Sequence, residues 1–560
     1  MRVKRDQPVT TRDGVRLSAD VYLPAVDGPF PVLALRTIQD NQAADAIQWV
    51  PKFVEAGYAV VTQDCRGRFD SGGDWDPYAN ETADGHDTIE WISSQQWCDG
   101  NVGMFGSGYM GYTQTRAALG DIKVLKAIAP SSSQQDNFGY WFTHGPFQWH
   151  TALNFLETAG NIVQTGAQSP VNREELWARL PLATALDDVA EVPFVKKALE
   201  HNRYDEFWKN DSLLDRYGDI RVPALFITGW YDVLLHETVS MFQGFATHAG
   251  TEEARGRSKL IIGPWHSGNL GSGLPSGDVD FGPDSGVDLA GEHVRWYDQR
   301  LRGMSTGIDD EPPVRIFTMG ENIWRFENEW PPASMNYRKF FLHGEGHANS
   351  LSGDGCLDFE RCGDTEPVDE FIYDPANPVP TLGGNIGPLP GTVAGAVDRR
   401  SIQQRDDILI YDTDVLPEDL EVTGSPLVTL WASSDCTDTD FAATVCDVHE
   451  DGRAIIICEG MVRTRFNQER QDPSASRENP KLAVPDLPSK YFVSLWHTSM
   501  VFKAGHRIRL ELTSSNFPRF DRNPNTGHDL GVDAHVRLAN NTVYHHGDYP
   551  THLTLPVVER

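Results

Sequence analysis

The chain has 560 residues, 48 basic against 80 acidic, for a net charge of −32, and 39% of its residues are hydrophobic. That length calls for more than one core, and the acidity argues against nucleic acid or an anionic membrane surface as partner, since both demand Lys and Arg. The basic opening residues are followed by no apolar stretch and nothing approaches the ~18 apolar residues of a membrane span, so a cytoplasmic chain without a secretory leader is expected.

In chain order, Val15–Leu23 partly alternates apolar and polar residues after an Asp13-Gly14 turn, as a half-buried antiparallel strand does. Short apolar runs follow at Val32–Leu35, Ala59–Val61, Val102–Phe105, Leu125–Ala129, Ala224–Thr228 and Leu260–Ile262, with amphipathic stretches such as Thr88–Ile92 between them. Buried parallel strands crossed by helices predict an α/β fold, with ligands at the carboxyl ends of the strands. Residues 132–221 interrupt this alternation with a helical, aromatic-rich stretch (Phe138, Tyr140, Trp141, Phe142, Phe147, Trp149), expected to be a cap over the catalytic edge of the sheet. The sheet domain then occupies 1–131 and 222–332. From 333 to 560, β-branched runs recur between turns (Tyr337–Leu342, Ile408–Tyr411, Leu427–Ala432, Ala454–Cys458, Arg507–Leu512, His552–Val558), which predicts a β-sandwich of jelly-roll type.

The seven cysteines are odd in number and lie mostly in strand-like runs, as reduced core residues do. Cys356 and Cys362 could pair across a Gly/Asp-rich loop, but no zinc ligand set accompanies them. Gly106-Ser107-Gly108-Tyr109-Met110-Gly111 has the form G-x-G-x-x-G, a weak dinucleotide signal here. Three strand candidates precede it, and Ala127–Pro130 stands where the acidic partner belongs. No metal and no cofactor are indicated.

The runs DCRGRFDSGGDW (64–75), DTIEWISSQQWCDGNVGMFG (87–106), ITGWYD (227–232), GPW (263–265) and AGHRIRLELTSSNFPRFDRNPNTG (504–527) resemble the cocaine esterase and X-prolyl dipeptidyl peptidase family, in that family's order. The resemblance implies an α/β-hydrolase domain, an inserted helical cap and a C-terminal jelly-roll β-sandwich, with the pocket where the three meet. In that family an elbow G-x-S-Y-x-G presents a nucleophilic serine at a helix N-terminus, activated by an Asp and a His on later loops. At the serine's place this chain has Gly108; at the histidine's place, in G-P-W-x-H, it has Ser267, with His266 one step early. Asp232 is retained, and Gln39 stands where a tyrosine helps bind the oxyanion. Three such departures together read as natural divergence rather than one engineered substitution.

Because a one-residue step along an extended chain reverses the side chain, Ser107 is expected to point behind the elbow, whereas a loop could turn His266 inward. The sequence therefore favours an enzyme on a small acyl-bearing, partly aromatic or apolar substrate through general acid/base chemistry such as cyclisation, elimination or isomerisation. Asp232 and His266 would move protons; Gln39 and the Tyr109 N–H would hold an oxyanion; Trp141, Leu234 and His236 would contact substrate. Two alternatives stand beside it: an ester or amide hydrolase using Ser107, His266 and Asp232, and a non-catalytic binding protein. A homo-oligomer is left open.

Overall fold

The computed structural model describes the chain except for residues 159–171, 188–192, 362, 364, 388, 467–472 and 560. The Cys356–Cys362 pairing therefore falls outside the described residues.

The first sheet has ten strands: β1 (Arg2–Thr10), β2 (Arg16–Leu23), β3 (Phe30–Thr37), β4 (Ala59–Asp64), β5 (Cys98–Ser107), β6 (Leu125–Ser131), β7 (Leu225–Tyr231), β8 (Lys259–His266), β9 (Val314–Thr318) and β10 (Ile323–Glu327). Their order is β1-β2-β4-β3-β5-β6-β7-β8-β9-β10. From β4 through β9 every neighbouring pair is parallel, and the antiparallel pairs β1–β2, β2–β4 and β9–β10 lie toward the two edges. Each apolar run expected as a strand is one. β1, β9 and β10 were not foreseen: β1 is largely exposed and rich in charge, β9 is a five-residue strand whose apolar run is broken by Arg315, and β10 is a half-exposed edge strand carrying Arg325 and Glu327.

Helices α1 (Ala44–Ile47), α2 (Val50–Glu55), α3 (Glu81–Ser93) and α4 (Tyr109–Ala117) accompany the first strands. Beyond β6 the insert opens with α5 (Asn137–Trp141) and α6 (Trp149–Thr158), and a further helix spans Pro193–Glu200. The aromatic side chains of the insert form one buried cluster with Tyr78 and Tyr112 of the base and with Leu389 and Phe466 of the C-terminal half. Trp141 is central: it stacks on Phe147 (centroids 6.0 Å apart) and meets Phe155 edge-on at 5.5 Å.

Thirteen strands between Met335 and Val558 make up the second half. All pair antiparallel except at Cys356–Leu357 against Asp412–Thr413. A buried ionic chain ties this half to the insert: Arg463 pairs with Asp440 (2.8 Å) and Asp521 (3.0 Å), and the Phe147 N–H donates to Asp521 (2.7 Å). Among the described residues no helix is long and apolar enough to cross a membrane.

Candidate active site

β5 runs into α4 through a single sharp residue. Gly108 caps the helix at φ 61°, ψ −124°, a conformation that strains any residue with a side chain. The three glycines of this elbow serve different ends. A Cβ at Gly106 would lie 2.5 Å from the Met110 Cβ, and one at Gly111 would lie 2.9 Å from the Ser133 Cβ, so both allow α4 to pack closely on the sheet. A Cβ at Gly108 would meet nothing within 4 Å. Room for a side chain exists at the tip.

The elbow is fixed from behind. The Tyr109 hydroxyl donates to Glu81 (2.9 Å) and accepts from the Tyr78 N–H (2.9 Å), while fully buried Arg36 pairs with Glu81 at 2.8 Å. The Gly108 N–H is used internally, donating to the carbonyls of Ser131 and Ser132. The Tyr109 N–H is the first of the helix and has no intrahelical acceptor, so the positive end of α4 faces the space before Gly108.

That space is an open cleft of about 910 Å³. Gln39, Trp49, Ser107, Gly108, Ser131 and Ser267 are among its walls, and exposed Asp45 and Asp288 stand at its rim. Ser107 thus borders the cleft. The strand ends at Ser107. Gln39 and Tyr109 both line this cleft. No described residue of 132–221 is among the walls of this cleft, because the segment spends its aromatic face on its own core.

Asp232 is fully buried just beyond β7. It accepts from the Ser132 hydroxyl (2.9 Å) and the Leu234 N–H (2.7 Å), with the Ser267 hydroxyl close by. Burial raises its pKa, and these donors oppose that rise. Ser267, on the loop after β8, therefore occupies the place beside Asp232 where a histidine was looked for. His266 does not join them: its Nδ1 accepts from the Gly268 N–H (3.1 Å), its own N–H donates to Asn269, and burial lowers its pKa. Among the described residues no hydrogen bond links His266 to Asp232 or to Ser107. The tight turn at Ser267–Gly268 folds the ring back on its own backbone, which is why the expected inward swing is absent.

The remaining expected contacts lie elsewhere. Trp141 is completely buried in the cap core, where aromatic burial outweighs any role as a wall. Leu234 acts through its N–H on Asp232. His236, at the start of the helix Leu235–His248, faces a separate cavity of about 200 Å³ shared with Phe138, His144, Glu237 and Arg477, and stacks on His497 at 5.7 Å. Burial pushes its pKa down to about 4. Sequence reasoning missed Ser132, which holds Asp232 from 100 residues away, and no spacing rule could have paired them.

Comparison with known proteins agrees with this architecture. The model of the X-Pro dipeptidyl-peptidase (S15 family) matches residues 13–268, and that of the X-Pro dipeptidyl-peptidase C-terminal non-catalytic domain matches residues 306–554. Cocaine esterase from Rhodococcus sp. (strain MB1 Bresler) is 37% identical, covering 99% of this chain and 98% of its own. Among solved structures, an aminopeptidase from the marine sediment archaeon Thaumarchaeota archaeon superposes with a TM-score of 0.84 at 24% identity, covering 100% of this chain and 97% of its own. An α-amino acid ester hydrolase gives a TM-score of 0.82 at 24% identity over 99% and 96%. At that identity these two structures speak for the fold.

Proposed function

The chain belongs to the cocaine esterase and X-Pro dipeptidyl-peptidase (S15) family of α/β-hydrolases, and from that premise we propose that its elbow cleft receives the carbonyl of a small ester or amide without forming an acyl-enzyme at the elbow tip. Gly108 carries this proposal: the one residue whose side chain would project into the open space before α4 has no side chain to attack with. The esterase and peptidase names of the relatives favour an ester or amide as the reacting group over the cyclisation, elimination or isomerisation expected from sequence.

The chemistry left to the cleft is electrostatic. A carbonyl oxygen placed at the N-terminus of α4 meets the Tyr109 N–H, with the Gln39 amide as second donor, so charge developing on that oxygen is stabilised. Water attacking from the open side of Gly108 adds to the carbonyl carbon, gives up its proton to bulk water, and the tetrahedral adduct expels the alcohol or amine, which takes its proton from bulk water, so hydrolysis is completed without a covalent intermediate. Asp232 is fully buried and held by two donors, and His266 is bound to its own loop, so neither is set to take the water's proton. Turnover on simple esters then rests on the oxyanion site and binding, a residual ~10³–10⁴-fold over water in triad enzymes stripped of their nucleophile.

Ser107 supports a second reading, since it borders the same cleft. Its drawback is the missing base: among the described residues no histidine is hydrogen-bonded to it.

A tetrahedral anionic mimic, an aryl phosphonate monoester, tests the proposal by calorimetry. We expect reversible binding that Gln39→Ala weakens by ~2–10-fold, the worth of one ordinary hydrogen bond. Binding that is absent, or indifferent to Gln39→Ala and to a cleft-blocking Gly108→Leu, contradicts it.

A further inference from the structure

We propose that the C-terminal β-rich half carries a transition-metal site, built from Asp447, His449 and His506, that takes Zn²⁺ or a divalent ion of the same borderline class. The sequence reading assigned no metal, and 59 residues separate His506 from Asp447. The fold removes that distance.

Asp447 lies near the end of the strand Asp440–Val448, and His449 follows two residues on, so the two share a face. The neighbouring strand Arg507–Thr513 pairs with it antiparallel, Val448 against Arg507 and Asp447 against Ile508. That register brings His506, just ahead of the strand, beside His449, with ring centroids 4.3 Å apart. Both rings turn a nitrogen toward one carboxylate. His506 Nδ1 lies 2.9 and 3.0 Å from the two Asp447 oxygens, and His449 Nε2 lies 3.4 Å from Oδ2. All three ligand atoms fall within 4.8 Å of one another. Metal–ligand bonds of ~2.0–2.1 Å at tetrahedral angles place ligand atoms ~3.3 Å apart, so small ring rotations suffice to admit an ion.

Charge points the same way. Most other buried carboxylates of this half are matched by guanidinium groups: Asp440 by Arg463, Glu459 by Arg519, Glu511 by Arg399 and Asp438 by Arg465; Asp369 instead meets one imidazole, His545, and the Tyr411 hydroxyl. Asp447 is as deeply buried, its side chain 2% exposed, yet among the described residues only the two imidazoles reach it at ion-pair distance. Neutral imidazoles leave the carboxylate's charge uncompensated, and a divalent ion compensates it while using both ring nitrogens. The rings are 26% and 16% exposed, so an ion can enter from solvent and water can supply a fourth ligand. Two imidazoles and one carboxylate without a thiolate suit Zn²⁺, Co²⁺, Ni²⁺ or Cu²⁺ over Ca²⁺ or Mg²⁺.

One cation competes. Arg453 Nη2 lies 3.4 Å from His449 Nδ1, while its Nε donates to Asp451 at 2.8 Å. Ligation through His449 Nε2 puts the proton on Nδ1, and Arg453 then rests on Asp451 alone.

Calorimetric titration of Zn²⁺ into the full chain after chelator treatment, with Co²⁺ visible absorption in parallel, tests the site. One tight site is expected, with Co²⁺ bands of tetrahedral intensity, weakened at least ~10-fold by His506→Ala and by His449→Asn. His449 is partly exposed just past the end of its strand, so the second variant keeps the measurement informative if the first folds poorly. Absence of Zn²⁺ binding at micromolar concentration, or equal binding by the wild type and both folded variants, overturns the proposal.

Discussion

At the scale of single residues the outcome turns on positions 108, 232, 266 and 267. Gly108 has space for a side chain and only its φ of 61° resists one, a cost on the order of 1–3 kcal/mol. Ser267 already lies close to Asp232, so a ring at that position starts beside its carboxylate. The double variant Gly108→Ser/Ser267→His is therefore expected to hydrolyse p-nitrophenyl esters at least ~10²-fold faster than the wild type, with Gly108→Ser alone gaining far less. A double variant no faster than the wild type under steady-state assay would count against the assignment of these positions. Gly108, Asp232 and Ser267 were legible in the sequence because fixed motif spacing carries them. The direction of the His266 ring was not, since a two-residue turn reverses a ring without any mark in composition.

At the scale of elements, most strands of the parallel sheet were legible because burial on both faces writes itself as short apolar runs; β9 was not, its five residues being interrupted by Arg315. The edge strands β1 and β10 carry no such mark. The aromatic insert was visible as composition, and its use was not: cap core and substrate wall draw on the same residue types. Trp141 separates the two. If it is core, Trp141→Ala costs ~3–5 kcal/mol and lowers the denaturant midpoint, while leaving affinity for a cleft ligand nearly unchanged in the folded fraction. The opposite pattern, lost binding with stability intact, returns Trp141 to the pocket. Arg463 is the polar counterpart. It is buried between Asp440 and Asp521, so Arg463→Met is expected to destabilise by ~3–5 kcal/mol by stranding two carboxylates, measured by urea unfolding.

At the scale of the whole molecule the net charge of −32 dominates. Self-repulsion on that scale destabilises the compact state, and added salt shortens the screening length from ~10 Å at 0.1 M to ~3 Å at 1 M. The melting temperature is expected to rise between those concentrations in KCl, and a flat or falling curve contradicts that. Acid acts through buried histidines. Burial lowers His144 to about 3 and His150, His236 and His293 to about 4, so each is neutral when folded and takes up a proton on unfolding once the pH is below 6.5. The unfolded state then binds more protons, and these groups remove stability as pH falls from 6.5 toward 4. Glu237, its pKa raised chiefly by burial, works in the opposite sense. His293→Phe should reduce the drop in urea midpoint between pH 7 and pH 5, and an unchanged drop would show that His293 is not part of it.

The central claim, that this protein handles its substrate without an acyl-serine, is met most directly by intact-mass spectrometry of the full chain after exposure to a serine-directed fluorophosphonate and, separately, during ester turnover. The account predicts the unmodified mass in both experiments and an adduct only once serine and histidine are placed at 108 and 267. A stoichiometric adduct on the wild-type chain, mapped to Ser107 or to any other cleft residue, contradicts it.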